Sequence, residues 1–336
     1  MQKIIAKTDK IITFDYLRSF IILLTLIHHS IVAYTPLSKL SQVTDKYQWL
    51  GFKFIVLFNY NFSMSLLFLI SGFFVWQSLK RKGAKKFLYS RFIKLGIPYL
   101  LLTSIAASFG MIGIAGHLWF LWVLLTFDIL SAILYKLVPH LDDKLKIKAS
   151  GIFKNHLIFF AILFIISIFI YLPIIIKFGP QWILILHLIY FFAGLGVGAY
   201  GIENTIFNSQ SKLTKNWWLY LSLAIVTFII GYNLFNFLGT MMIVTNILFS
   251  ALMTLGVSAT FLRFVTKHTD KLDNLNTNAY GIYIVHYIFV TGLQYYLLEF
   301  NLHAIYKSLI VFIISFLLSW IFISTIRRLS LIRKVI

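Results

Sequence analysis

Cysteine is absent from all 336 residues. That excludes a disulfide framework, a thiol nucleophile and a cysteine-ligated metal. Charge is also scarce: Asp, Glu, Lys and Arg make up 12% of the chain, against 60% hydrophobic residues. Soluble globular domains carry about 25% charged residues. The composition therefore excludes that class and requires an integral membrane protein. Acidic residues are the rarest charges, 10 against 30 Lys and Arg, for a formal net charge of +20. Such an excess can signal nucleic-acid binding. Here the basic residues sit in short loops between apolar runs, where the positive-inside rule puts them, so no nucleic-acid partner is expected. HExxH, GxxxxGK(S/T) and Cys/His ligand spacings are missing too, so neither a metal nor a nucleotide site is expected. No low-complexity linker divides the chain, and no internal repeat of the transporter kind is visible. A single transmembrane domain over 1–336 is expected, with no appended soluble domain.

What is present is a series of apolar runs of about 20 residues, the length that crosses a bilayer as a helix. They fall at 14–34, 53–78, 91–112, 118–137, 157–176, 182–200, 217–236, 241–263, 279–298 and 305–326. The 53–78 run is long for one span and is expected to tilt or break near Ser71-Gly72. Pro98 is expected to kink the third run or shape its start. Gly194, Gly196 and Gly198 lie deep in an apolar run, where small residues let helices approach closely. The basic N-terminus is not followed by a small-residue cleavage site, so 14–34 is read as retained. Of the 30 basic residues, 22 lie on one alternate set of loops and five on the other. The expected fold is therefore an all-α polytopic membrane protein of about ten transmembrane helices, both termini in the cytoplasm.

The first run, FDYLRSFIILLTLIHHSIVAY, also holds Asp15, Arg18, His28 and His29. Ionisable residues inside a span are costly and usually functional. Arg18 and His29 are 11 residues apart, close to three helical turns, so they share a face with a rise of roughly 16 Å between them. His28 points about 100° away from His29 and has no matching role. A guanidinium suits phosphate or carboxylate, and an imidazole deeper in the membrane suits general-base work. The competing account is that Arg18 snorkels to the headgroups and the histidines pack. Arg91 and Lys94, three apart at the start of the third run, form a second basic pair. Their competing role is anchoring. His117 and Trp119 open the fourth run, where an aromatic belt also accounts for tryptophan. His286 follows Tyr280 and Tyr283 in the ninth.

Five blocks, in order, resemble the acyltransferase-3 family of membrane O-acyltransferases. The family's first-span signature is Arg, ten residues, His and a small residue, matched here by Arg18, His29 and Ser30. FLISGFF at 68–74 resembles its second-span block and supplies Ser71 and Gly72. The third-span Arg-x-x-Arg reads Arg91-Phe-Ile-Lys94, which keeps the charge but loses one bidentate donor. HLWFL at 117–121 and YGIYIVH at 280–286 complete the set. HHSIVAYTP, SGFF and RFIKLGIP are similar to the branch containing glucan biosynthesis protein C.

The resemblance implies transfer of an acyl group, acetyl before succinyl, from a coenzyme A thioester to a hydroxyl of a cell-envelope glycan. Acyl-CoA would be a co-substrate, with no bound cofactor, and the enzyme would sit in the cell (cytoplasmic) membrane. It further implies catalytic roles for His29 and Arg18, donor binding by Arg18, Arg91 and Lys94, and support from Ser30, Ser71, Gly72, His117, Trp119, Tyr283 and His286. The rival is a transporter or exporter of a glycan or lipid-linked intermediate, using the same histidine as a proton relay.

Overall fold

The computed structural model describes residues 2–37, 41–108, 113, 116–233, 239–333 and 335. All regular secondary structure among them is helical. In a bilayer the backbone must satisfy its own hydrogen bonds, and a helix does so within one segment. Among the described residues, six helical stretches are long and apolar enough to cross a membrane: Ile12–Val32, Leu50–Phe73, Gly116–Leu137, His156–Phe178, Gly239–Phe264 and Ala304–Ile326. Leu184–Tyr200 and Trp217–Asn233 are shorter apolar helices.

Several expected runs take a different local form. The first helix, α1, spans Gln2–Val32 and starts well before residue 14. The 53–78 run is interrupted twice. Leu50–Tyr60 (α2) and Ser63–Phe73 (α3) flank a turn at Asn61–Phe62, and a second break falls at Phe74, just past Gly72. The next helix, α4 (Val75–Arg91), leads into a π turn at Phe92–Gly96 and then α5, Ile97–Ser108. Residues 109–112 of the expected third span and 234–236 of the seventh lie outside the described set. The helix expected at 279–298 runs Asp270–Leu297, its first turns carried by the polar sequence DKLDNLNTN.

The chain divides into two compact units. The first comprises residues 1–17, 61–88 and 127–268. In it α3 packs on Leu184–Tyr200 through glycine. A Cβ at Gly194 would stand 2.0 Å from the Leu69 carbonyl oxygen, at Gly198 2.1 Å from that of Phe73, and at Gly72 2.2 Å from that of Phe191. The two backbones touch, as Gly194 and Gly198 led one to expect. Gly196 instead faces the Phe153 ring. Gly194→Ala must push backbone from backbone, and overpacking of this kind costs about 1–3 kcal/mol. A thermal melt in detergent is expected to show the loss.

Asp142 is 4% exposed and accepts a 2.6 Å bond from Lys80. That hydrogen bond raises the Lys80 pKa above the usual lysine value, against a small opposing effect of burial. His156 is buried and bonded to the Tyr220 hydroxyl at 2.7 Å. His187 is buried against Phe68, with Ser65 Oγ 3.3 Å from its Nδ1.

The second unit comprises residues 18–60, 89–126 and 269–336. Its core joins the end of α1 (Leu26, Ile31, Val32) to Phe52 and Val56 of α2, to Val290 and Leu297, and to Val311. Two long helices, Asp270–Leu297 (α6) and Ala304–Ile326 (α7), pack along one another. The segment that follows α1 is stitched down by backbone bonds, from Asp45 N–H to the Ala33 carbonyl at 3.1 Å and from Trp49 N–H to the Tyr34 carbonyl at 2.9 Å. A fully buried ion pair, Lys307 Nζ to Asp45 Oδ2 at 2.6 Å, ties the same segment to α7.

Candidate functional site

Most of the candidate residues fall in the second unit, and one helix collects them. Near the start of α6, Asn276 accepts a 3.0 Å bond from Ser19, the residue after Arg18. One turn on, the Tyr280 hydroxyl donates to the Lys94 carbonyl. Pro98, four residues after Lys94, has no N–H to offer that carbonyl, which leaves it open to the tyrosine. Tyr283 then donates to the His117 carbonyl at 2.8 Å. His286 and Tyr287 reach the His29 ring, at centroid distances of 5.5 and 4.8 Å. Two turns further, Gln294 donates to the His29 carbonyl at 2.8 Å. The last carbonyls of a helix lack intrahelical partners, and α1 ends at Val32. Gln294 therefore fixes the end of α1 without touching the His29 side chain.

The imidazoles form a cluster. His117 lies 5.2 Å from His286 and stacks on Tyr287 at 4.9 Å. Its Nε2 is 3.2 Å from the Ile284 carbonyl and so donates to it. His286 Nδ1 is 2.7 Å from the Tyr283 carbonyl and 3.2 Å from that of Ile282. Carbonyl oxygens only accept, so Nδ1 carries the proton and Nε2 carries the lone pair. That Nε2 is buried and has no hydrogen-bond partner among the described residues. His286 is 1% exposed and His117 8%, whereas His29 is only half-buried. His29 is thus more open than His117 and His286. His28, edge-on to His29 at 5.4 Å, is also half-buried. Among the described residues no group of three or more His, Cys, Asp or Glu side chains is placed to hold a metal ion.

The basic residues stand elsewhere in the same unit. Arg18 and Arg91 are half-buried and Lys94 is exposed. The π turn begins directly after Arg91, so Arg91 and Lys94 do not have the α-helical i, i+3 relation expected from the sequence. Such insertions concentrate at functional sites, and no compositional signal announces them. Trp119 is half-buried beside Phe120. The Ser30 hydroxyl donates to its own helix at Leu26. Ser71 does the same to Leu67, and Ser71 and Gly72 belong to the first unit, where Gly72 serves the contact with Phe191.

Sequence reasoning missed Gln294 and gave His286 a supporting place only. A signal existed. Gln294 lies eight residues after His286 and seven after Tyr287 on an apolar helix, and so falls on the face that carries them.

Helices long and apolar enough to cross a membrane define an all-α polytopic membrane protein, and its second unit holds a cluster of imidazoles. The model for the acyltransferase domain of the acyltransferase-3 family matches residues 11–324. The chain belongs to that family and is an acyltransferase, an enzyme transferring groups other than aminoacyl groups. No curated protein and no solved structure matches it.

Proposed function

We propose that the protein is a cell-membrane O-acyltransferase that moves an acyl group, acetyl before succinyl, from coenzyme A to a hydroxyl of an envelope glycan. The observation that carries the reading is His29, the partly open imidazole of a buried histidine cluster, three turns along one helix from Arg18. The proposed topology has ten spans with both termini in the cytoplasm, supported by the 22 to five division of loop charge. In that orientation Arg18, Arg91 and Lys94 face the cytoplasm and hold the anionic part of the donor. His29 takes the proton from the acceptor hydroxyl as its oxygen bonds to the thioester carbon. The carbon–sulfur bond breaks, and the imidazolium returns the proton to the departing thiolate. A glucan is the first acceptor to try, on the similarity of the HHSIVAYTP and RFIKLGIP stretches.

The test is release of free coenzyme A from acetyl-CoA by reconstituted protein, with the envelope glycan fraction as acceptor. Arg18→Ala is expected to raise the KM for acetyl-CoA by about 10- to 100-fold, the worth of one or two charge-assisted hydrogen bonds. An unchanged KM in Arg18→Ala removes the arginine from the donor site.

A further inference from the structure

Resting on the acyl-transfer reading, we propose that His286 is the positioning partner of His29. Its Nε2, unpartnered here, accepts a hydrogen bond from a ring N–H of His29 once the His29 ring turns toward it, while the other His29 nitrogen takes the acceptor's proton.

Three observations converge on this pairing. The first is the tautomer. With Nδ1–H directed at the Tyr283 carbonyl, 2.7 Å away, His286 presents a lone pair at Nε2 and cannot present a proton there while neutral. The second is the orphan. A buried polar atom without a partner forfeits the desolvation cost of that group, and such atoms in native folds call for an explanation. His286 Nε2 is one of them. The third is reach. The ring centroids of His29 and His286 are 5.5 Å apart. At that separation, rotation of the His29 ring to turn an N–H toward Nε2 brings the two nitrogens to about 3 Å, within hydrogen-bonding distance.

The neighbours leave this role to His286. Tyr287 meets His29 edge to face and so offers it a ring edge, not a lone pair. His117 Nε2 already donates to Ile284. The pairing does what an orienting group does for any catalytic histidine. It selects one tautomer of His29 and stabilises the imidazolium that forms. A neutral imidazole does this without burying a negative charge in the membrane interior, where an ionised side chain is expensive. Protons balance: His29 takes one from the hydroxyl and gives one to the thiolate, and His286 gains and loses only a hydrogen bond.

Two amide substitutions separate this role from a structural one. In His286→Asn the amide N–H stands near Nδ1 and keeps the bond to Tyr283, but nothing replaces Nε2. In His286→Gln the longer side chain carries an acceptor oxygen toward the Nε2 position. With acetyl-CoA and the envelope glycan fraction, His286→Ala and His286→Asn are expected to lose about 100-fold in kcat. KM for acetyl-CoA is expected to be unchanged in both, and His286→Asn, which keeps the Tyr283 bond, is expected to melt close to wild type. His286→Gln is expected to exceed His286→Asn by roughly tenfold. A His286→Asn variant with wild-type kcat, or one that outperforms His286→Gln, overturns the pairing and leaves the acyl-transfer reading standing. Wild-type protein that transfers no acetyl group overturns both.

Discussion

Replacing His29 by alanine is expected to abolish acyl transfer, with kcat falling about 10²- to 10⁴-fold, while the protein still folds. The range is what a positioned general base contributes. The expectation of a folded variant comes from how the residue is held. Its tertiary hydrogen bond to α6 runs from Gln294 to the backbone carbonyl, at 2.8 Å, and alanine keeps that carbonyl. Its side chain touches His28, His286 and Tyr287 through ring contacts and is half-buried, not enclosed. Loss of the ring should therefore cost rate far more than stability. Purified variant and wild type, compared by coenzyme A release and by thermal melting, check both halves. A His29→Ala enzyme with full activity removes this histidine from the chemistry.

The largest effect on stability is expected from Lys307→Met. Lys307 and Asp45 have side chains with 0% exposure and meet at 2.6 Å. Lys307 also lies over the Tyr47 ring at 5.0 Å, and Tyr47 N–H donates to the other Asp45 oxygen at 2.8 Å. Removing the lysine leaves a carboxylate buried without its counter-ion, which costs about 3–5 kcal/mol. The melting temperature should fall by about 10 °C. Replacing both partners, as in Asp45→Leu with Lys307→Met, should recover most of the loss, because a buried ion pair is often no more stable than an apolar one of similar volume. A single Lys307→Met variant that melts with wild type contradicts this account.

Much of the molecule was legible from its residues, for identifiable reasons. Apolar length marks a membrane helix whatever its neighbours do, so most of the spans were visible. Arg18 and His29 stand out because charge in such a run is expensive. Gly194 and Gly198 announced a backbone contact because little else explains glycine deep in a span. What stayed hidden depends on pairings across hundreds of residues. Lys307 and Asp45 are 262 apart and Gln294 and His29 are 265 apart, and neither residue carries a local pattern that names its partner. The polar start of α6 looked like a loop because DKLDNLNTN lacks apolar periodicity, yet Asn276 and Tyr280 are where that helix grips the segments bearing Arg18 and Lys94. The π turn after Arg91 likewise has no compositional mark.

The most direct test of the central claim is mass spectrometry of envelope glycans from cells with the protein, without it, and with the His29→Ala variant at equal abundance. The account predicts an acyl mass increment on the glycans of the first strain alone, with the increment itself distinguishing acetyl from succinyl. Identical glycan masses in all three strains, or an increment that persists with His29→Ala, would contradict it.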